Sequence, residues 1–312
     1  MIVLRILLTL IEIAVVLALP PMLISVILKT KAWFAGRDGP PWLQTYYELY
    51  KLIQKGVIYS HTTTWVFRAG PVVSLAALLT AATLIPVLSG WSWLVGFQGD
   101  LILVAYLFAL GRMFTVLAAM DTGSSFEGMG AAREVTFGMM SEPALFLSLA
   151  VMAIATRSIS LSQMFGPGMW IAWGSVGPAM LLVVGALLVV LLTECSRIPV
   201  DDPATHLELT MIHEVMVLDH SGPELAFIQY GAALKFLLLG SILLHVAIPL
   251  PGETWAYVVG PVIRLASLLG LAVVVGVIES GMARLRLNRV PLLLAGATVL
   301  SGLAVLLVLA KQ

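Results

Sequence analysis

Residues 194–208 read Glu194-Cys-Ser-Arg197-Ile-Pro-Val-Asp201-Asp202-Pro-Ala-Thr-His206-Leu-Glu208, and the polar segment that they begin continues to Glu224. This segment holds seven of the 17 acidic residues, and Arg197 is its only Lys or Arg. Long apolar runs, 176–193 and 225–246, flank it. Each run is long enough to cross a bilayer as a helix, so the segment must lie at or inside a membrane boundary. Ionisable groups are costly there and generally serve a function.

The composition of the whole chain predicts an integral membrane protein. Of its 312 residues, 60% are hydrophobic and 11% are charged, whereas soluble domains have about 45–50% apolar and about 25% charged residues. The period-2 alternation of barrel strands is absent, which leaves helices as the spanning structure. We therefore predict an all-α protein whose residues 1–312 form a single transmembrane domain. Its eight spans are predicted at 2–28, 68–89, 101–120, 138–157, 174–194, 224–248, 257–280 and 290–310.

The positions of Lys and Arg predict the orientation of the chain. Eleven of the fifteen that lie outside the span interiors fall on odd-numbered connections: Lys29, Lys31, Arg37, Lys51, Lys55, Arg68, Arg133, Arg197, Arg284, Arg286 and Arg289. By the positive-inside rule these connections face the cytoplasm, and both termini face the periplasm of a cell inner membrane. Residues 1–28 exceed the apolar region of a signal peptide and lack a small-residue cleavage site, so we expect a retained helix. The formal net charge of zero predicts no nucleic-acid partner.

Two of the connections carry recognisable patterns. After the first span, the apolar residues of segment 43–57 recur at helical spacing, which predicts an amphipathic helix at the membrane interface. Residues 121–130 are rich in small residues and predict a loop. The Gly128-x-Gly130 pair within this loop follows no strand, so it does not indicate a phosphate site.

Several ionisable residues fall inside the predicted spans. Glu12, Arg112 and Lys235 are the deepest, and each would cost about 2.5–3.5 kcal/mol at the bilayer centre, so we expect them to face the interior and to pair. Carboxylates near the ends of four different spans are expected at one level: Glu142, Glu194, Glu224 and Glu279. Carboxylates balanced between burial and a neighbouring cation can exchange protons near neutral pH. The alternative interpretation is a set of helix-end charges and structural ion pairs.

The histidines and the cysteine bear on cofactors. His206, His213 and His220 are seven residues apart and would lie near one face of a helix. Metal or haem ligation is one interpretation, but proton relay or hydrogen-bonded packing suits imidazole better without an HExxH or Cys-rich pattern. Cys195 is the single cysteine and cannot hold an iron–sulfur cluster. We therefore expect no metal, no other cofactor and no catalytic residue in this chain.

Two segments resemble known proteins. Gly130-Ala-Ala-Arg133-Glu-Val-Thr-Phe-Gly-Met-Met-Ser141-Glu142-Pro143, and Glu194-x-x-Arg197-x-Pro199-x-Asp201 with Ser221-Gly222, resemble the signatures of subunit 1 of respiratory complex I, which is its quinone-site membrane subunit. Residues 197–214, which read Arg197-Ile-Pro-Val-Asp-Asp-Pro-Ala-Thr-His-Leu-Glu-Leu-Thr-Met-Ile-His-Glu214, are more similar to the homologous membrane subunit of the formate hydrogenlyase and hydrogenase-4 type. The complex I form has Glu-Ala-Glu where this chain has Ala204-Thr205-His206.

The resemblance implies a non-redox membrane subunit that anchors a cytoplasmic arm and couples its redox reaction to proton or Na⁺ translocation. The implied partners are a NiFe-hydrogenase-like large subunit, iron–sulfur small and ferredoxin-like subunits, antiporter-like membrane subunits and the lipid bilayer. The Ni-Fe and iron–sulfur clusters would lie in those partner subunits. The alternatives are the quinone-site subunit of a complex I relative, and a stand-alone ion transporter or passive scaffold.

The resemblance also implies which residues couple the two processes. It assigns Glu142, Glu194, Arg197, Asp201, Asp202, Glu208, Glu214 and Glu224, with Arg133 as a countercharge. Burial or side-chain chemistry alone adds Glu12, Lys235, Glu279, His206 and His213.

Overall fold

The computed structural model describes residues 2–88, 96–202, 211–251 and 259–311. No strand occurs among them, and eight helices are long and apolar enough to cross a membrane, which confirms the predicted class and number of spans. The spanning helices are α1 (Ile2–Phe34), α3 (Trp65–Leu84), α4 (Asp100–Asp121), α5 (Ser125–Thr156), α7 (Pro167–Glu194), α9 (Gly222–Ala247), α10 (Gly260–Gly281) and α11 (Val290–Leu309). The others are α2 (Gln44–Ile53), α6 (Leu161–Met164), α8 (His213–Met216) and a 3₁₀ turn at Leu287–Arg289.

Helix α5 begins well before the predicted start of its span. The predicted loop at 121–130 is reduced to residues 122–124, because α5 starts at Ser125. Gly130 explains how this polar stretch is packed: a Cβ on Gly130 would lie 2.3 Å from Val215 Cγ1 on α8. The close approach of α5 to α8 therefore stabilises a helix that apolar periodicity alone did not predict.

The two ends of the helix bundle differ in chemistry. The polar end contains residues 35–64, 122–124, 195–202, 211–221 and 282–289, and contacts such as the hydrogen bond from Leu285 N to Pro199 O (2.9 Å) join them. The opposite end contains segments 85–88, 96–99, 157–166 and 248–251. There Trp173 Nε1 on α7 donates to Val246 O on α9 (2.7 Å).

Helix α9 is the most deeply buried span in the described part of the chain. It packs against α1, α2, α3, α7 and α10, so apolar residues cover it on nearly all sides, as expected for a central helix. Three of its ionisable residues lie at different depths, namely Glu224, Lys235 and His245. A helix at this position can place polar groups where several other spans reach them.

Helix α2 confirms the predicted interfacial helix after the first span. Thr45 Oγ1 lies 2.9 Å from Ser25 Oγ on α1, and the Tyr46 hydroxyl donates to the carbonyl of Ala18. Tyr47 and Tyr50 point away from the bundle and are exposed. This arrangement attaches α2 to α1 and leaves aromatic side chains outward, as in helices that lie in a membrane interface.

Candidate functional site

Glu194, at the last turn of α7, is the centre of a buried ion-pair network. Its carboxylate accepts two hydrogen bonds from Arg112 Nη2 (2.8 and 2.9 Å) and one from Ser141 Oγ (2.6 Å). Lys235 Nζ lies 2.7 Å from the second carboxylate oxygen. One carboxylate thus faces two cations from two other helices, which offsets much of the cost of burying all three charges.

Arg112 on α4 connects this network to two further carboxylates. Its Nη1 donates to Glu142 Oε1 (3.1 Å), and its Nε lies 4.0 Å from Glu134 Oε1. The guanidinium rests directly on the backbone of α5, because a Cβ on Gly138 would lie 1.9 Å from Arg112 Nη1. Gly138 therefore provides the space that lets one arginine reach Glu142 and Glu194 together.

Three hollows surround the Arg112 guanidinium. An inner cavity of about 60 Å³ is lined by Arg112, Glu134, Glu194, Cys195, His213 and Lys235, among others. Two further hollows, of about 80 and about 210 Å³, lie beside α4, and both are lined by Arg112 and Glu142. Because a buried water needs only about 10–15 Å³ and several polar partners, the inner cavity has the size and the chemistry to hold a few water molecules.

Asp201, shortly after α7, contacts the start of α8. Its carboxylate accepts from the backbone N–H groups of Ile212 (3.0 Å) and His213 (3.2 Å) and pairs with Arg284 Nη2 (2.9 Å). Asp202 follows it and donates its own N–H to Asp201 (2.9 Å). These contacts place His213 at the inner cavity, so Asp201 positions the site without lining it.

Glu279, at the end of α10, forms a separate ion-pair group. It lies 2.8 Å from Lys31 Nζ on α1 and 3.4 Å from Arg197 Nη1 after α7. Its side chain is fully buried. The group joins three chain segments at the polar end.

Glu224, at the start of α9, belongs to a third group. It accepts from the Tyr59 hydroxyl (2.6 Å) and lies 3.3 Å from His220 Nδ1, and the His220 ring stacks on Phe67 with 4.0 Å between centroids. The hydrogen bond to Glu224 raises the pKa of Tyr59. Burial lowers the pKa of His220 below its usual value, so its ring is neutral at neutral pH.

The four carboxylates that were expected at one level belong to three separate groups of contacts. Glu142 and Glu194 share Arg112, whereas Glu279 and Glu224 have the separate partners described above. The partners come from different elements: α1 and the residues after α7 supply those of Glu279, whereas Tyr59 and His220 supply those of Glu224. His213 and His220 do not share one face of a helix, because α8 ends at Met216 between them.

The remaining predicted residues are distributed as follows. Glu12 is buried at the opposite end, where it accepts from Leu88 N (3.1 Å), so it lies away from the Arg112 and Lys235 charges with which pairing was expected. Arg133 Nη1 donates to Met211 O (2.8 Å) at the polar end. Glu214 is half-buried on α8. Glu208 and His206 lie outside the described residues.

Sequence reasoning found Lys235 by its burial, and the structure supplies its partner, Glu194. It noted Arg112 as a buried charge but did not include it in the coupling set, and it missed Glu134. The signal that could have found Arg112 was its position inside an apolar span. Burial raises the pKa of Cys195 to about 12, so its thiol adds no charge to the cavity.

Comparison with solved structures supports the fold. The chain is similar to a chain in the structure of the membrane-bound sulfane sulfur reductase, an archaeal respiratory membrane complex, with a TM-score of 0.81 and 18% sequence identity. The match covers 97% of this chain and 99% of that chain. At this identity the similarity concerns the arrangement of helices only.

Sequence comparisons agree with the resemblance of the two signature segments. Formate hydrogenlyase subunit 4 of Escherichia coli (strain K12) is 32% identical over 288 residues, which are 90% of this chain and 92% of that protein. Hydrogenase-4 component C of the same organism is 31% identical over 235 residues, 75% of this chain and 73% of that protein. The family model described as NADH dehydrogenase matches residues 6–310. Since this match covers nearly the whole chain, the protein belongs to the NADH dehydrogenase family, the family of the membrane subunit of complex I that the signature segments resemble.

Proposed function

We propose that this membrane subunit of a complex I-like respiratory or hydrogenase complex couples electron transfer in partner subunits to ion movement, through the network around Glu194. Both E. coli relatives are, by their names, parts of a formate hydrogenlyase and a hydrogenase. The complex would include a NiFe-hydrogenase-like large subunit, iron–sulfur subunits and antiporter-like membrane subunits. This chain would anchor the electron-transferring arm and hold no redox centre itself.

The observation that carries the proposal is the position of Glu194 between Arg112 and Lys235, beside the inner cavity. When such a carboxylate takes up a proton, its attraction to both cations falls, and Arg112 keeps Glu142 as its second acceptor. Protonation therefore redistributes the ion pairs. A relay needs this property, and the short distances mean that small movements suffice.

The connection between the arm and this network would be the segment 195–221. It begins directly after Glu194, and Asp201 accepts a hydrogen bond from the N–H of His213, which lines the cavity. A partner that docks on the polar end and shifts this segment would change the surroundings of Glu194. In this way a redox event outside the membrane can alter the proton affinity of a group inside it.

The proposed orientation places the polar end in the cytoplasm of the inner membrane and both termini in the periplasm. The excess of Lys and Arg on the connections at this end supports it. Single cysteines in a Cys195→Ser background test it, with Ser125→Cys at the polar end and Gln98→Cys at the opposite end, both of which are exposed positions. Labelling of Ser125→Cys by an impermeant maleimide added to intact cells would contradict the orientation.

The central test reconstitutes the assembled complex into proteoliposomes and measures ΔpH together with electron transfer. We expect Glu194→Gln to assemble and to lower ΔpH per electron by about 10²-fold, because Gln keeps the shape but cannot exchange a proton. Glu142→Gln and Glu208→Gln should impair coupling less. Glu48→Gln is the matched control, since Glu48 is exposed on α2 and bonds only to Gln44 Nε2 (2.9 Å) among the contacts described.

The outcomes separate the alternatives. If Glu194→Gln generates the same ΔpH per electron as the wild type, the relay is overturned and a passive scaffold is supported. Stoichiometric quinone in the purified complex would support the complex I-like alternative, and a monomer that transports ions without partners would support a stand-alone transporter. Replacing Na⁺ by K⁺ in the same vesicles distinguishes proton from Na⁺ movement.

A further inference from the structure

Three buried ionisable side chains lie at the opposite end, apart from the Glu194 network. Glu12 on α1, His245 on α9 and Arg264 on α10 are 5%, 1% and 2% exposed. Their three helices pack against one another. Groups of this kind are expensive inside a membrane and are retained mainly where they are used.

Short hydrogen-bonded segments connect these groups. Glu12 accepts from Leu88 N (3.1 Å), and two residues earlier the carbonyl of Pro86 accepts from Ser241 Oγ (3.1 Å). The carbonyl of Ser241 in turn lies 2.8 Å from His245 Nδ1. The segment after α3 therefore links the carboxylate on α1 to the imidazole on α9.

His245 is held firmly but retains an open nitrogen. Its Nδ1 contacts a carbonyl and must donate, which leaves Nε2 as an acceptor in the neutral ring. Among the described residues, neither His245 Nε2 nor Arg264 Nε has a hydrogen-bond partner, and both atoms are buried. Stacking on Phe165, with 4.5 Å between centroids, fixes the ring. In the neutral ring, Nε2 is therefore the atom at which the imidazole would accept a proton.

The charged groups around His245 do not hydrogen-bond to this nitrogen, and the Arg264 guanidinium opposes a positive charge on the ring. Arg264 Nη1 is engaged by Leu244 O (2.8 Å), the carbonyl of the residue before His245. Asp100, near the stacked Phe165, is fully buried and accepts from Leu161 N (2.7 Å) and Ser160 Oγ (3.0 Å). Each of these side chains has a local structural contact, whereas the free nitrogen of His245 has no such contact among the described residues.

The polar groups of α9 lie in sequence across the membrane. At a rise of about 1.5 Å per residue, Lys235 lies about 16 Å beyond Glu224, and His245 about 15 Å beyond Lys235. The last interval, residues 236–244, is buried and mainly apolar, and Ser241 is its one polar side chain. Ser241 Oγ donates to Pro86 O (3.1 Å) and lies 3.4 Å from His245 Nδ1, so it is the side-chain hydrogen-bonding group between Lys235 and His245.

We propose that His245 is the proton-release site of a path that lies within this chain and follows α9 from Glu224 through the Glu194 network to the opposite end. This inference rests on the proposed coupling function. A proton that leaves the Glu194 network binds to His245 Nε2 and is then lost to the opposite side, which returns the ring to its neutral form. Only N–H and O–H bonds are made and broken.

The test compares His245→Phe with Trp173→Phe in the assembled complex in proteoliposomes. Phe retains an aromatic ring against Phe165 but removes both nitrogens. Trp173→Phe removes a hydrogen bond to Val246 O (2.7 Å) at the same end of α9, with no titratable group lost. We expect His245→Phe to lower ΔpH per electron by about tenfold or more, and Trp173→Phe to leave it unchanged.

His245→Gln separates a proton role from a structural one. Gln can hydrogen-bond to the Ser241 carbonyl but does not titrate, so it should restore coupling only if His245 is structural. Full coupling in either His245 variant, with Glu194→Gln uncoupled, would overturn the release site and leave the proposed function intact. Full coupling in Glu194→Gln as well would overturn both the release site and the proposed function. Only the loss of coupling in both His245→Phe and His245→Gln supports the path.

Discussion

Glu194 and Glu279 have the same kinds of partner but different surroundings. Each carboxylate lies between one arginine and one lysine: Arg112 and Lys235 for Glu194, Arg197 and Lys31 for Glu279. The Glu194 network adjoins the inner cavity and two further carboxylates. In the described part of the chain, Glu279 lines none of the hollows around Arg112.

A buried ion-pair group is therefore not by itself a functional site. An ion-pair group such as that of Glu279 holds helices together, and removing one partner lowers the stability of the protein. A proton relay also needs an exchange partner and a route for the proton, and the second acceptor of Arg112 and the inner cavity supply them. The two groups should accordingly respond differently to substitution.

The largest effect is expected when each arginine is removed. Arg112→Ala leaves three carboxylates near one lysine, and Arg197→Ala leaves Glu279 with Lys31; each should lower the free energy of unfolding by about 3–5 kcal/mol. In the complex that still assembles, ΔpH per electron should be lost in Arg112→Ala and kept in Arg197→Ala. Thermal unfolding and proteoliposome assays measure the two quantities. If Arg112→Ala retains coupling, the Glu194 network and the Glu279 group do not differ in function.

A smaller effect is expected from filling the space under Arg112. Gly138→Ala places a methyl group where the guanidinium lies, so Arg112 must shift away from Glu142 or Glu194. Coupling should fall by about tenfold, since misplacement of about 1 Å can cost as much as 10²-fold. Gly128→Ala on the same helix is the control, because its Cβ would meet nothing within 4 Å. Equal coupling in both variants would show that the position of Arg112 is not critical.

Neutralising Glu279 should affect stability and not coupling. Glu279→Gln keeps the shape but weakens the attraction to Lys31 and Arg197, which we expect to cost about 1–3 kcal/mol. The melting temperature of the solubilised complex should fall, and ΔpH per electron in the intact fraction should not. A coupling deficit equal to that of Glu194→Gln would place Glu279 in the relay.

The smallest effect concerns Cys195, which lines the inner cavity beside Glu194. Because burial raises its pKa to about 12, almost no thiolate exists at pH 8. We expect negligible maleimide labelling of the folded complex at that pH and full labelling after denaturation, with coupling unchanged in Cys195→Ser. Rapid labelling of the folded complex would indicate that the cavity opens widely to water.

The class of protein, the eight spans, the interfacial helix and the family could all be predicted from the amino-acid sequence. Runs of about 20 apolar residues are easily recognised as membrane spans, because the thickness of the bilayer sets their length. The family signature around Arg197 is likewise recognisable because its residues are contiguous in the sequence. Glu142, Glu194 and Lys235 were also predicted, because charges inside apolar spans are conspicuous.

Only the packing of the helices shows which charged side chains contact one another. Arg112 and Glu194 are 82 residues apart, and Lys235 is on a third helix, so no local pattern relates them. The sequence likewise could not show that Glu279 and Glu224 have partners of their own, apart from those of Glu194. The physical reason is that hydrophobic periodicity and composition indicate which face of each helix contacts lipid or core. The pairing of buried charges depends instead on the depth and rotation of each helix relative to its neighbours, which close packing at residues such as Gly138 determines.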